Sequence, residues 1–312
     1  MTHSTVLRRC TRLLGGAALV AGLAVGGAGA ATADGSDVER TELSGTAQTD
    51  AHGYWTSERM EAAIPADDLA PEDAPSHADV EKGEPTTVQG RSAEAPGKNK
   101  KAAESKDTVG KVFFTQGGQD YVCSGNSVAS SNGSTVSTAG HCVNDAGTWA
   151  TNWVFVPGYD HGDAPYGTWA ATDLVSTDEW VSGEDISYDV AFATVSPESG
   201  SGTLEDAVGS TSIAFNRERG ADYDAYGYPA AAPFDGESLE SCSGTASDDT
   251  IGGTISQGIS CDMTGGSSGG PWFLGDGAQN SVNSFGYNGQ ANVMYGPYFG
   301  AEAQAAYDEA AA

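Results

Sequence analysis

A twelve-residue stretch near the C-terminus combines a candidate nucleophile with a backbone suited to holding negative charge. It runs from Cys261 to Trp272 and reads C-D-M-T-G-G-S-S-G-G-P-W. A serine nucleophile needs an exposed hydroxyl on a tight turn, with backbone N–H groups nearby for a developing oxyanion. The glycines around Ser267 and Ser268 let the backbone take turn conformations and approach a substrate closely. Taken alone, the stretch is equally typical of a Gly/Ser-rich surface turn.

Two motifs earlier in the chain supply the partners that a serine nucleophile requires. His141 lies in T-A-G-H-C, and Asp189 opens an apolar run in S-Y-D-V-A-F-A-T-V. Catalytic triads occur in three chain orders, and only one of them runs His, Asp, Ser. No histidine follows Ser268, so the Ser-Asp-His order of α/β-hydrolases is excluded, although G-G-S-S-G fits their G-x-S-x-G pattern.

Taken in this order, the motifs resemble those of secreted bacterial serine endopeptidases with the chymotrypsin fold, near the glutamyl-endopeptidase branch. The resemblance rests on C-S-G-N-S-V, T-A-G-H-C, Y-D-V-A, G-S-S-G-G-P and N-S-F-G. It implies peptide-bond hydrolysis through an acyl-enzyme, with Ser268 as nucleophile, His141 as general base and Asp189 orienting the histidine. Two alternatives remain: an inert binding protein of the same fold, and a secreted esterase.

The resemblance also implies how a substrate is held. The N–H groups of Gly266 and Ser268 would form the oxyanion hole. Ser284, Phe285 and Gly286 would pair with the substrate backbone as an added strand, the alternative being an ordinary barrel strand.

Asp262 bears on specificity because it lies six residues before Ser268, where trypsin-like relatives carry the acidic base of the specificity pocket. A carboxylate there would select Lys or Arg before the scissile bond. The glutamyl-endopeptidase branch also carries C-D-x-x-G-G-x-S-G, so Asp262 could instead be structural; that branch has a histidine where this chain has Asn283. Basic residues are therefore expected first, with a broad or hydrophobic preference next.

Neighbouring residues offer rival assignments for the triad. Ser267 is adjacent to the candidate nucleophile, but the register G-x-S-G-G-P selects Ser268. Asp185 and Asp173 compete with Asp189, yet neither directly precedes a segment that looks like a buried strand.

The elements that position the candidate catalytic residues are expected to be strands. Short segments rich in Val, Thr, Tyr, Phe and Trp alternate with Gly, Asn, Asp and Ser turns, which is typical of an all-β barrel or sandwich. The resemblance implies a peptidase domain at 108–312, built from two six-stranded antiparallel barrels at about 109–200 and 208–298. A C-terminal helix is expected at about 301–312.

Two segments precede this domain. Residues 1–33 are predicted to be a secretory signal peptide, in which Arg8 and Arg9 precede the short apolar core Leu13–Val25. Residues 34–107 are polar and rich in Pro, Ala, Glu and Asp, which predicts a largely disordered segment. In a secreted protease we interpret it as a propeptide, with the patch around Trp55 able to dock on the mature domain.

The cysteines indicate an oxidising compartment. Cys10 would leave with the signal peptide, and the remaining four cysteines allow three pairings. The resemblance favours Cys123–Cys142 and Cys242–Cys261 as structural disulfides.

The net charge and an acidic loop bear on the partners that the protein could bind. The chain has 43 acidic and 14 basic residues, a formal net charge of −29, which would attract cationic substrates or simply keep a secreted enzyme soluble. Asp160 and Asp163, beside the loop residue His161, could help bind calcium, but no metal or cofactor is predicted. We expect a secreted, extracellular monomer that acts on protein or peptide substrates, without nucleic-acid or membrane partners.

Overall fold

The computed structural model describes residues 38–70, 83–93, 106–200 and 202–312. The expected signal peptide at 1–33 lies outside the described residues. Within the described ranges, no helix is long and apolar enough to cross a membrane.

Strands dominate the described chain. From the N-terminus they are β1 Val38–Glu42, β2 Ile64–Pro65, β3 Thr86–Val88, β4 Val109–Gln116, β5 Gln119–Val128, β6 Thr135–Thr138, β7 Asn144–Asp145, β8 Thr148–Trp149, β9 Thr151–Pro157, β10 Trp169–Thr177, β11 Ala191–Pro197, β12 Ile213–Phe215, β13 Asp222–Gly227, β14 Glu240–Thr245, β15 Ser247–Asp248, β16 Gln257–Ser260, β17 Pro271–Leu274, β18 Gln279–Val282 and β19 Val293–Gly296. The helices are α1 Gly45–Tyr54, α2 Ser57–Ala62, α3 Asp178–Gly183, α4 Leu204–Val208 and α5 Ala301–Ala310. Short 3-10 turns cover Asp67–Leu69, Gly140–Cys142 and Ile186–Tyr188.

The first half of the domain expected at 108–312 is a closed antiparallel barrel. Its six strands follow one another in the order β4, β5, β6, β11, β10 and β9, and β9 returns to β4. Val112, Phe155 and Phe192 have no exposed surface, as expected for β-branched and aromatic side chains that pack across a barrel interior. The predicted first barrel is confirmed.

The second half is formed by two sheets. One has the order β14-β13-β17-β18-β12-β3, and the other has the order β15-β16-β19. All pairs are antiparallel except β12 with β18. Trp272 and Tyr223 pack in the core of this half, with ring centroids 5.3 Å apart. The all-β fold class is confirmed, and the C-terminal helix α5 packs Tyr307 edge-to-face against Phe192, with ring centroids 5.6 Å apart.

The segment before the domain is folded where it is described. β1 extends the first barrel by pairing with β10, β2 pairs with β5, and β3 pairs with β12. Trp55, at the end of α1, is buried with its ring 5.3 Å from that of Phe113. The expectation of a largely disordered segment is therefore wrong for 38–70 and 83–93, because these residues pair as strands with the domain and bury Trp55 and Ala66 against it.

Candidate active site

A buried histidine–aspartate pair lies at one end of the first barrel. The turn after β6 carries His141, and the turn before β11 carries Asp189. His141 Nδ1 and Asp189 Oδ2 are 2.8 Å apart, and the backbone N–H of His141 donates to Asp189 Oδ1 at 2.8 Å. The Ser284 hydroxyl donates to Asp189 Oδ2 at 2.5 Å. These contacts fix the orientation of the imidazole ring.

The charges around His141 favour its protonated form. Burial by itself lowers the pKa of His141, but the neighbouring Asp189 carboxylate, and behind it Asp67, raise the pKa above its ordinary value. An imidazolium formed by proton transfer would be stabilised in the same way.

The nucleophile turn brings Ser268 to the mouth of this pair. Gly266 and Gly269 flank it with φ values of +93° and +82°, and a Cβ at Gly269 would lie 2.2 Å from Thr138 Oγ1. Ser267 Oγ donates to the Thr264 carbonyl at 2.8 Å. The adjacent serine is thus engaged with its own turn, and the structure brings Ser268 to the candidate site.

Two disulfides brace these turns. Cys123–Cys142 joins β5 to the histidine turn, and Cys242–Cys261 joins β14 to the start of the nucleophile stretch. This is the pairing that the resemblance favours. Among the described residues, one cluster has metal-ligand spacing, namely Cys123, His141 and Cys142. Because both sulfurs are in the disulfide, neither is the thiolate that a metal requires.

The rival residues have other partners. Asp185 accepts from the Ser187 N–H at 3.0 Å and starts the turn before Asp189, and Asp173 pairs with Arg40 at 2.7 Å. His161 is exposed and lies 2.6 Å from Asp160.

An acidic residue of the N-terminal segment reaches the same site. Ser268 Oγ donates to Asp67 Oδ1 at 3.2 Å, and the backbone of Gly266 also hydrogen-bonds to this carboxylate. His141 Nε2 is buried without a hydrogen-bond partner among the described residues. Asp67 therefore accepts a hydrogen bond from Gly266, which is an expected oxyanion-hole donor. It also accepts the hydrogen bond from the Ser268 hydroxyl that would otherwise go to His141.

Burial of the Asp67 carboxyl group has an electrostatic consequence. Asp67 as a whole residue is exposed, but its carboxyl group packs against protein groups and accepts a hydrogen bond from Ser268. This desolvation raises the pKa of Asp67, opposed by His141 and by the hydrogen bond from Ser268. Sequence reasoning missed Asp67; the available signal was the I-P-A-D-D-L run that follows the apolar patch.

A cavity of about 620 Å³ opens beside Ser268. Ser284, Phe285 and Gly286 line it, in the position expected for substrate-binding residues. Asp262 does not line it and is exposed. Neighbouring residues in extended chain point to opposite sides; Cys261 and Met263 point inward, with 4% and 6% of their surface exposed.

Asp262, the predicted acidic base of the specificity pocket, thus lies outside the cavity that the described residues form beside Ser268. Asn283 is also not a substrate-binding group, because its side chain donates to the Ser267 and Tyr226 carbonyls and accepts from Trp272 Nε1.

Comparison with known proteins agrees with this arrangement. Residues 123–279 match the family described as a trypsin-like peptidase domain, which is about half of the chain. The protease Anisep from Arthrobacter nicotinovorans is 53% identical, with a TM-score of 0.64, and the match covers 67% of this chain and 98% of that one. A thermostable serine protease, AL20, from an extremophilic microorganism is 52% identical, with a TM-score of 0.63 and coverages of 66% and 97%. No curated protein matches the sequence.

A Glu endopeptidase structure is 19% identical with a TM-score of 0.54; the match covers 72% of this chain and 98% of that one. At this identity the likeness concerns the fold alone.

Proposed function

Since the chain belongs to the trypsin-like peptidase family and is a serine-type endopeptidase, we propose that it is a secreted enzyme that uses Ser268, His141 and Asp189 as its catalytic triad. The observation that carries this assignment is the 2.8 Å contact of His141 Nδ1 with Asp189 Oδ2 beside the Ser268 turn. Its substrates are proteins or peptides, and it acts as an extracellular monomer.

The proposed mechanism follows from the positions of these groups. His141 Nε2 takes the proton of Ser268 as the hydroxyl oxygen attacks the peptide carbonyl, and later returns it to the leaving amine. Asp189, held by the His141 backbone and Ser284, keeps Nδ1 protonated and stabilises the imidazolium. The N–H groups of Gly266 and Ser268 stabilise the oxyanion, at about 3 kcal/mol per donor.

The test compares two adjacent serines. We expect Ser268→Ala to lose casein hydrolysis by roughly 10⁶-fold, as in well-studied triads, whereas Ser267→Ala keeps most of it. The opposite result would show that the nucleophile is Ser267 and not Ser268. A serine-directed phosphonylating reagent adds a second measurement: labelling with ester turnover but no peptide cleavage would favour an esterase, and no labelling would favour an inert binding protein.

We further propose that residues 34–107 form a propeptide that keeps the enzyme latent. Asp67 supports this, because it accepts from Ser268 and Gly266 while His141 Nε2 has no hydrogen-bond partner in the described part of the chain. The match to Anisep also supports it, since nearly all of that protease corresponds to only two thirds of this chain. N-terminal sequencing of the secreted, active protein should give a start near Val109; a start before Val38 would contradict the proposal.

A further inference from the structure

Given the proposed peptidase activity, on which this inference rests, we propose that the cavity beside Ser268 binds an uncharged, apolar side chain of the residue before the scissile bond. The enzyme would thus cut after residues such as Leu, Met or Phe. This differs from the basic preference that the position of Asp262 predicts.

The lining of the cavity is the first support. Its apolar wall residues are Ile186, Ile251, Met263, Phe285, Val293 and Met294. Thr254, Thr264, Tyr287 and Asn288 add neutral polar groups, and the charged residues of the lining are Asp67 and Asp68. Both belong to the proposed propeptide and would leave with it. A Lys, Arg or Glu side chain in the emptied cavity would lose hydration without gaining an opposite charge.

A buried carboxylate behind the wall, that of Asp249, does not change this conclusion. Asp249 is 8% exposed and accepts from the backbone N–H of Ile251 at 2.8 Å, the Tyr287 hydroxyl at 2.6 Å and the Thr254 hydroxyl at 2.8 Å. The backbone N–H groups of Gly252 and Thr254 donate to it as well. Five donors occupy the acceptor capacity of one carboxylate, which is about four lone pairs.

Asp249 is therefore a positioning residue rather than a recognition group. It joins the loop at 249–254 to Tyr287, and both belong to the cavity wall. Tyr287 in turn packs against Phe285 and Tyr295, with ring centroids 5.3 and 5.1 Å away. This aromatic cluster gives the cavity a rigid apolar side suited to a large apolar side chain.

The test uses the processed enzyme secreted by cells that express the full chain. A set of peptide 4-nitroanilides differs only in the residue before the scissile bond, which is Leu, Met, Phe, Lys, Arg or Glu. We expect kcat/KM for the best apolar residue to exceed that for the best charged residue by at least about tenfold. Faster cleavage after Lys, Arg or Glu would overturn the inference. If neither casein nor any of these peptides is cleaved, the proposed function itself has failed.

Two neighbouring positions provide a matched pair of variants. Met263→Asp places a carboxylate in the cavity, so the ratio of kcat/KM for the Lys peptide to that for the Leu peptide should rise at least about tenfold. Asp262→Asn alters an exposed neighbour outside the cavity and should leave the ratio within about twofold. A large fall in cleavage after Lys in the Asp262 variant would mean that Asp262 recognises the basic side chain, which would overturn the inference.

The positioning role of Asp249 is tested through its partner, because Asp249 variants can fail to fold. Tyr287→Phe removes one hydrogen bond but keeps the ring. We expect KM to rise several-fold for the Phe peptide, with kcat within about twofold. A selective loss of Lys cleavage in this variant would mean that the Asp249–Tyr287 pair recognises positive charge, contrary to the inference.

Discussion

The contact of Asp67 with the candidate active site makes docking of the N-terminal segment dependent on pH. In the docked arrangement burial raises the pKa of Asp67, and the charges of Asp189 and Asp67 raise the pKa of His141 against the lowering effect of burial. Each group whose pKa rises on docking takes up protons as the segment binds. Docking is then strongest below the pKa values of the undocked groups and weakens as pH rises through the docked values.

The size of the effect follows from the number of groups involved. One group contributes at most one decade of affinity per pH unit within its window, and because a protonated Asp67 no longer raises the pKa of His141, the pair sets a ceiling of about one decade per unit. The window for Asp67 begins near its ordinary pKa of about 3.9, and that for His141 begins at its pKa in the undocked enzyme, which Asp189 already raises. We expect the inhibition constant of a peptide covering residues 36–93, measured on the processed enzyme, to rise steadily from pH 5 to pH 8.

A pair of variants attributes this dependence to one carboxyl group. Asp67→Asn removes the titrating group and the charge that acts on His141, so its inhibition constant should vary little with pH. Asp68→Asn changes an exposed neighbour and should keep the wild-type slope. The reasoning is refuted if the wild-type constant is flat or falls with rising pH, or if the Asp67 variant keeps the full slope.

Three further predictions concern the docked segment and the triad. Trp55→Ala removes the buried ring on Phe113, and the loss of about 3–5 kcal/mol should weaken inhibition by the segment more than a hundredfold in the same assay. Ser284→Ala takes one donor from Asp189, a charged hydrogen bond of about 1.5–3 kcal/mol, so kcat should fall about tenfold or more with KM little changed; an unchanged kcat would leave Ser284 without a positioning role. Because His141 must be neutral to accept a proton, kcat/KM should fall on acidification with a midpoint at or above about pH 6.5; a flat profile from pH 5 to 8 would argue against a histidine base.

The residues of the proposed triad could be singled out in the sequence because each motif ties a chemical requirement to a few contiguous residues. The turn glycines around Ser268, the histidine between Gly140 and Cys142, and the aspartate before an apolar run all depend on local backbone geometry. The structure brings these residues together as the motif order indicated.

The proposed specificity cavity could not be derived from the sequence, because an offset from the nucleophile does not determine which way a side chain points. Extended chain alternates its side chains, and the disulfide-bonded Cys261 faces inward, so Asp262 faces solvent and Met263 lines the cavity. The N-terminal segment was mispredicted for another reason. Its composition cannot sustain a core of its own, but Trp55 shares the core of the domain against which it packs.

The carboxyl group of Asp67 differs from a scissile peptide in a way that matters for the proposed zymogen. Ser268 faces a side-chain carboxylate, which is a poor electrophile and has no amine to expel. The segment can therefore block Ser268 without being cleaved by it. Release of the segment would then require a cut at a bond away from the cleft, made by another protease molecule.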